Sequence, residues 1–174
     1  MRAFFTPTGR SRRHYRDLVA QFDPLLELMD DPQTLSKRDD AISRWSVGEQ
    51  LEHIAKVDGK IFEAIEALLA DPSEGTGTPV RLARVLLLLG RFPRGRGKSP
   101  KALVATGIDL GQVRSMLEQR RDSWRVFGPR LPEVVASRAR APHPSLGDFN
   151  ALQWLRFAQI HIRHHRLIID DIRS

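Results

Sequence analysis

Apolar positions along the chain recur at intervals of three and four residues, which is the period of an α-helix. No stretch alternates with the period of two that a half-buried strand requires. The polar connection that ends near Arg44 and the proline-rich residues 128–147 are predicted to be irregular links. The pattern predicts an all-α fold, in one domain over residues 1–174, with four long helices and a short one. Their approximate bounds are 11–30, 47–70, 79–90, 109–127 and 151–172.

Local signals indicate where these helices begin. Ser46 and Glu49 have the spacing of a capping box at the start of the second helix. Asn150 and Gln153 have the same spacing at the start of the last one. Pro24 interrupts the first helix, either as a kink or as the first residue of a second segment.

The last predicted helix carries half of the protein's six histidines. At 3.6 residues per turn, His161 and His165 lie one turn apart, and His164 projects roughly 60° to the side of His161. The apolar stripe that contains the first two consists of Trp154, Ala158, His161, His165, Ile168 and Ile172. The opposite face, which is predicted to face solvent, carries Arg156, Gln159, Arg163, Arg166, Asp170 and Arg173.

A pair of buried imidazoles needs partners for its ring nitrogens, and two neighbouring rings do not easily both protonate. A divalent metal satisfies this pair, because neutral imidazole is a good ligand and i, i+4 spacing brings two rings to one ion. The alternative is two core histidines bonded to backbone, side chains or water. The central position of His161 and His165 in the stripe favours the metal.

Three further titratable residues stand out. His53, at the edge of the second helix's apolar stripe, fits either a helix that contacts two neighbours or a half-exposed surface histidine. Asp58 lies within that stripe and is expected to be a boundary carboxylate bonded to an arginine, with a functional role as the alternative. His143 is expected to be a loop residue and not a ligand.

Composition narrows the classes of function. The chain has no cysteine, so any metal must be held by histidine and oxygen ligands. No apolar run approaches the roughly 18 residues of a membrane span, and the N-terminus lacks the apolar core of a signal peptide. We therefore expect no membrane association and a cytoplasmic location.

The net charge of +7 invites a nucleic-acid interpretation, but arginines are scattered over most segments and charge alone gives weak support. The basic residues 91–101, rich in glycine and proline, lack the spacing of a P-loop. They are predicted to be a mobile loop or, alternatively, the lining of a pocket for an anionic ligand.

Two segments resemble a known family. Trp45 to Ile54, which reads WSVGEQLEHI, resembles the W-[ST]-x-x-[EQ]-x-L-x-H-[IL] segment of the DinB/YfiT-like superfamily. The end of the chain, from His143-Pro144 through Gly147 and Trp154 to the HIRHH sequence, resembles the H-P-x-x-G…W…H-x-x-H-H ending of one branch of that superfamily.

This resemblance implies a four-helix bundle with a long crossover connection and a short extra helix, often assembled as a homodimer. It also implies a three-histidine site for a divalent metal, which on matching positions is formed by His53, His161 and His165. Zinc, nickel, iron and manganese are the candidate metals. Asp58, Glu49 and Glu52 are candidates for a general base, although no motif supports any of them.

The functions that the resemblance implies are a metal-dependent hydrolase or a low-molecular-weight-thiol S-transferase, acting on a small-molecule substrate at the open side of the metal. A second hypothesis is a non-catalytic binding or stress-response module whose metal site is structural or vestigial. A third, disfavoured hypothesis is a helical nucleic-acid-binding protein that uses the arginines of the third long helix and the basic loop. Whether the chain is an enzyme stays open at this point.

Overall fold

A computed structural model describes residues 8–71, 77–93 and 99–174, and it confirms the all-α prediction of a helical bundle. The bundle is built from α1 (Gly9–Val19) with α2 (Phe22–Leu28), α4 (Val47–Ala70), α6 (Leu110–Phe127) and α8 (Ala151–Arg173). Shorter elements in the connections are α3 (Pro32–Ser36), α5 (Arg81–Leu89), α7 (Leu131–Ala136), β1 (Arg140–His143) and β2 (Gly147–Asn150). Single 3₁₀ turns span Lys101–Leu103 and Gly128–Arg130.

The centre of the bundle is the pair α4 and α8, which pack along each other. Helix α1 packs on α8, while α6 packs on α4 and is also contacted by α2. The largest fully buried side chains come from all of these elements and from the hairpin, and they include Phe22, Leu51, Ile61, Trp124, Phe149 and Leu155. None of the described helices is both long enough and apolar enough to cross a bilayer.

Both predicted capping boxes are confirmed. The Glu49 N–H donates to Ser46 Oγ at 3.2 Å, and the Ser46 N–H donates back to Glu49 Oε2 at 2.7 Å. Asn150 and Gln153 make the same reciprocal pair at 2.9 and 3.0 Å. These bonds satisfy N–H groups that have no acceptor within the helix, so they fix the residues at which α4 and α8 begin.

The N-terminal helix and the connections differ from the prediction. The predicted helix 11–30 is divided at Ala20 and Gln21, and Pro24 lies in the first turn of α2, where its missing N–H is not needed. The polar connection contains α3, which Asp31 caps by accepting the N–H groups of Gln33 and Thr34.

The prediction of no strands was wrong at residues 128–147 and just beyond, because β1 and β2 form an antiparallel hairpin. Each strand has four residues, and Ala141 and Phe149 are their buried side chains, so the segment is too short to show a repeating alternation. Gly147 pairs with Pro79, and the Val80 N–H donates to the Leu146 carbonyl at 3.0 Å. These backbone contacts attach the hairpin to the crossover between α4 and α6.

The polar face of α8 is also less exposed than its pattern predicts. Gln159 is buried, its carbonyl accepts from the side-chain amide of Gln21 at 3.2 Å, and its side chain bonds Arg156. The reason is the central position of α8, since α1 covers part of the face that was assigned to solvent. Leu110, the first residue of α6, is 41% exposed although it is apolar.

Candidate metal centre

Three histidines meet at the contact between α4 and α8. His53 comes from α4, and His161 and His165 come from successive turns of α8. All three are buried, with 4–8% of their surface exposed, and one ring nitrogen of each lies within 4.8 Å of the others. The Nε2 atoms of His53 and His161 are 3.3 Å apart. The residues matched by the family resemblance are therefore the ones that the fold brings together.

Neighbouring acceptors determine the tautomers of two of these rings. The Nδ1–H of His53 donates to the Leu103 carbonyl at 2.7 Å, and a carbonyl can only accept. The Nδ1–H of His165 donates to Gln50 Oε1 at 2.7 Å, while the amide NH₂ of Gln50 donates to Ser43 Oγ at 2.8 Å. Each of the two imidazoles consequently presents its Nε2 lone pair to the centre of the group.

The ring nitrogens of His161 have fewer hydrogen-bond partners than those of His53 and His165. Its Nε2 faces the Nε2 of His53, and its buried Nδ1 has no hydrogen-bond partner among the described residues. In the metal-free protein, one proton between the two Nε2 atoms can satisfy only that pair and leaves Nδ1 of His161 without a partner. A cation at the centre would accept a lone pair from Nε2 of each of the three rings, whereas one proton can bridge only two of them, so the donor set fits a metal. Nδ1 of His161 would then carry the ring proton and would still have no partner among the described residues.

The surroundings keep the three rings in the neutral form that binds metals. Burial lowers the pKa of His53. Burial and then the charges of neighbouring histidines hold the pKa values of His161 and His165 well below the ordinary value. Aromatic side chains contribute to this burial, because Trp45 lies 4.8 Å from the His53 ring and Phe157 stacks on His161 at 6.0 Å.

Glu52 fixes the segment that carries the Leu103 carbonyl. Its buried carboxylate accepts the backbone N–H groups of Thr106 and Gly107, both at 2.9 Å, and that of Ile108 at 3.3 Å. Lys56 pairs with the same carboxylate at 2.5 Å and also donates to the Val104 carbonyl. Burial by itself would raise the pKa of Glu52, but the bonds from Lys56 and the backbone lower it to about 2.

The candidate bases Glu49 and Asp58 also lie outside the group of histidines. Glu49 caps α4 and pairs with Arg38 at 2.8 Å. Asp58 is fully buried and accepts the indole N–H of Trp124 at 2.9 Å, so the expected arginine bond is replaced by an indole on α6. Within the described residues, the group that could hold a metal consists of the three histidines and contains no carboxylate.

The two remaining histidines of the C-terminal motif flank the group. His143 ends β1, where its Nδ1 accepts the Ser145 N–H at 3.2 Å and its ring lies 4.9 Å from Phe157. Burial lowers the pKa of His143 to about 4. The His164 ring is 5.1 Å from that of His165. The loop interpretation of His143 thus gives way to a strand end that packs against the aromatic side of the site.

Sequence patterns did not identify Gln50 and Leu103 as part of the site. Gln50 carried a usable signal, since it lies three residues before His53 and interrupts the apolar face of α4. Leu103 carried none, because its contribution is a backbone carbonyl. The basic loop 91–101 is described only at its ends, and its residues 94–98 lie outside the described structure.

Two surface grooves lie elsewhere. They run along the outer side of α8 and are lined mainly by its polar residues together with side chains of α1 and α2. Neither groove is lined by His53, His161 or His165.

Comparison with known proteins gives one result. The sequence model of the DinB superfamily matches residues 13–169, which include all three histidines, the whole of α4 and all but the last four residues of α8. Searches of curated proteins and of solved structures found no match. Because the match spans nearly the whole chain, the protein belongs to the DinB superfamily.

Proposed function

We propose that this protein is a metal-dependent enzyme in which one divalent ion is held by the Nε2 atoms of His53, His161 and His165. The observation that carries this proposal is the convergence of three buried ring nitrogens, two of them with tautomers set by acceptors on Nδ1. Histidine ligation suits zinc, nickel, iron or copper better than manganese, and three protein ligands leave a position open for a substrate.

A divalent ion there would supply Lewis acidity toward a water molecule or a thiol. A water nucleophile also needs a base, yet Glu49, Glu52 and Asp58 are each engaged elsewhere in the fold. A thiol loses its proton far more readily than water and needs no such carboxylate. The site therefore supports transfer of a low-molecular-weight thiol to a small-molecule substrate, with metal-dependent hydrolysis as the second reaction.

The chain's own contribution is orientation and exclusion of water. Leu103 and Gln50 hold the rings of His53 and His165 so that Nε2 points inward, and such partners of metal ligands commonly contribute 10- to 100-fold in affinity. Trp45 and Phe157 cover the rings of His53 and His161, which strengthens electrostatic interactions at the centre.

The test is metal content by elemental mass spectrometry on untagged protein. Wild type and the control His14→Ala, on α1, should carry about one metal per chain, and His161→Ala should lose it while circular dichroism shows an intact bundle. Stoichiometric metal in His161→Ala would refute the ligand assignment. No metal in any of the three, even after reconstitution with zinc, nickel, iron and manganese, would refute the metal site itself.

A non-catalytic module is the second candidate, and the burial of all three histidines favours it. Cobalt-substituted protein separates the two hypotheses. An open coordination position predicts that adding cysteine or glutathione changes the visible spectrum, and that metal-loaded protein then transfers the thiol to electrophilic acceptors. An unchanged spectrum in metal-loaded protein would support a structural or vestigial site.

The proposal includes two further expectations, a homodimer, which the family resemblance implies, and a cytoplasmic location, which was expected from the composition. Light scattering on the purified protein tests the first by its mass, and cell fractionation tests the second. Nucleic-acid binding stays disfavoured, since no feature of the histidine site serves it.

A further inference from the structure

The segment over residues 75–108 carries a large excess of positive charge. Arginine occurs throughout the chain, but residues 75–108 contain seven lysines and arginines and no aspartate or glutamate. The net charge of the whole chain is +7, so the remaining residues taken together carry equal numbers of positive and negative side chains, although residues 1–16 also contain five arginines and no acidic residue. The segment over residues 75–108 is the crossover between α4 and α6, and α5 lies within it.

Helix α5 also exposes an unusual amount of apolar surface. It is attached to the bundle through Ala83 and Leu86, which are buried. Its outer side presents four aliphatic side chains that are 43–79% exposed, namely Leu82, Val85, Leu88 and Leu89. Scattered single leucines are normal on a protein surface, but neighbouring ones on one helix face indicate an interaction site.

The charged side chains of α5 and of the residue that follows Gly90 are all positive. Arg81 and Arg84 are exposed on α5 itself, and Arg91 is exposed just after the helix ends at Gly90. A partner that covers the four aliphatic side chains must therefore tolerate or neutralise several cations. The α5 surface, defined here as Arg81, Leu82, Arg84, Val85, Leu88 and Leu89, is amphipathic in the sense typical of helices that lie on anionic membranes.

We propose that the α5 surface docks on an anionic lipid bilayer, with the aliphatic side chains in the interface and the arginines against phosphate headgroups. Two other occupants fit less well. A nucleic acid would neutralise the arginines but leave the leucines without an apolar partner. A second copy of the chain would bring the same cations together, and the crossover offers no acidic residue to pair with them.

This docking is peripheral, so it departs from the expectation of no membrane association, which rested on the absence of a membrane-spanning run. It is independent of the histidine site. Flotation of the full chain with vesicles tests it. Wild type should bind vesicles of phosphatidylcholine mixed with phosphatidylglycerol, should bind pure phosphatidylcholine weakly, and should be released by salt. His161→Ala should bind as wild type does, so failure of the metal proposal would leave this result unaffected.

The decisive variant is Leu88→Glu, which changes a side chain that is 79% exposed and should leave the fold intact by circular dichroism. We expect its affinity for the mixed vesicles to fall at least about tenfold. The matched control is Val126→Glu on α6, where the valine is 80% exposed and lies outside the α5 surface, and it should retain wild-type binding.

Three results would overturn the proposal. One is the absence of wild-type binding to the mixed vesicles. Another is binding that Leu88→Glu and Val126→Glu weaken equally, which would indicate a general effect of added negative charge. The third is a Leu88→Glu variant that binds vesicles normally but has half the wild-type mass by light scattering, which would assign the α5 surface to self-association. Salt-sensitive RNA binding combined with absent vesicle binding would assign the arginines to nucleic acid.

Discussion

Replacing Asp58 with asparagine should change how the stability of the protein depends on pH. The Asp58 carboxyl is fully buried, and one oxygen accepts the indole N–H of Trp124. The other oxygen has no hydrogen-bond partner among the described residues. Burial raises the pKa of Asp58 to about 7, against the combined effect of the Trp124 bond and the charge of Arg120. Asparagine keeps the shape and the bond to Trp124 but cannot ionise.

The direction of the effect follows from proton linkage. The folded chain binds the Asp58 proton more tightly than the unfolded chain, where the pKa is near its ordinary value of 3.8. The free energy of unfolding of wild type therefore falls as the pH rises from about 4 to about 7, by roughly 1.4 kcal/mol per pH unit from this residue. Between about pH 5 and pH 8, wild type should lose roughly 3 kcal/mol relative to Asp58→Asn.

The assay is urea unfolding followed by circular dichroism at several pH values, with a chelator present to keep metal from the histidines. The buried histidines titrate in the opposite direction, since their lowered pKa values make folding more favourable as the pH rises. Their effect is the same in both proteins and cancels in the difference. Asp40→Asn, at an exposed position, is the control and should follow wild type. If the free energies of unfolding of wild type and Asp58→Asn change equally with pH between about pH 5 and pH 8, the raised pKa of the buried Asp58 carboxyl is refuted.

Two further substitutions test how the fold supports the site. Glu52→Gln places an amide NH₂ against N–H donors of the crossover, so unfolding at neutral pH should cost roughly 2–3 kcal/mol less than in wild type. Because the pKa of Glu52 is about 2, lowered from 4.5, this difference should shrink as the pH falls from about 4.5 toward 2 in urea titrations. Gly147→Ala should destabilise by roughly 2–4 kcal/mol in thermal unfolding, because its φ of 77° disfavours a side chain and its Cβ would lie 2.5 Å from the Thr78 carbonyl. Gly59→Ala in α4, where the new methyl group has no atom within 4 Å, should instead stabilise the protein by about 1 kcal/mol. A lower stability of Gly59→Ala than of wild type would contradict the explanation given for Gly147→Ala.

Periodicity was sufficient to predict the long helices and to place His161 and His165 together, because a repeat of 3.6 residues determines which side chains share a face. It misassigned Arg156 and Gln159, since a wheel describes one helix and not the number of neighbours that surround it. Helix α8 lies at the centre of the bundle, and α1 covers part of its polar face. The resemblance to the DinB superfamily, and not periodicity, identified His53 as the third member of the group.

The polar support of the site was beyond sequence reasoning for a different reason. Glu52 bonds three backbone N–H groups more than fifty residues away, and His53 bonds a backbone carbonyl at a similar separation. Backbone groups are the same at every position, so no residue pattern marks the ones that will serve as partners. The β-hairpin was missed because strands of four residues are too short for a period to show.

The spacing between each N-cap and the histidine that follows it explains how the two helices bring their histidines to the same place. His53 lies seven residues after the N-cap Ser46, and His161 lies eleven residues after the N-cap Asn150. At 3.6 residues per turn these separations are close to two and three whole turns, so each ligand lies nearly in line with the cap that fixes the start of its helix. Each cap fixes the rotation of its helix about the helix axis relative to the preceding residues. The direction in which the histidine on that helix points is fixed by the same rotation. The crossover determines the final orientation of the His53 ring, because the Leu103 carbonyl accepts its Nδ1–H and Glu52 holds the neighbouring backbone in place. Rigid helices thus place the ligands, while a buried carboxylate and a carbonyl determine which nitrogen faces the centre.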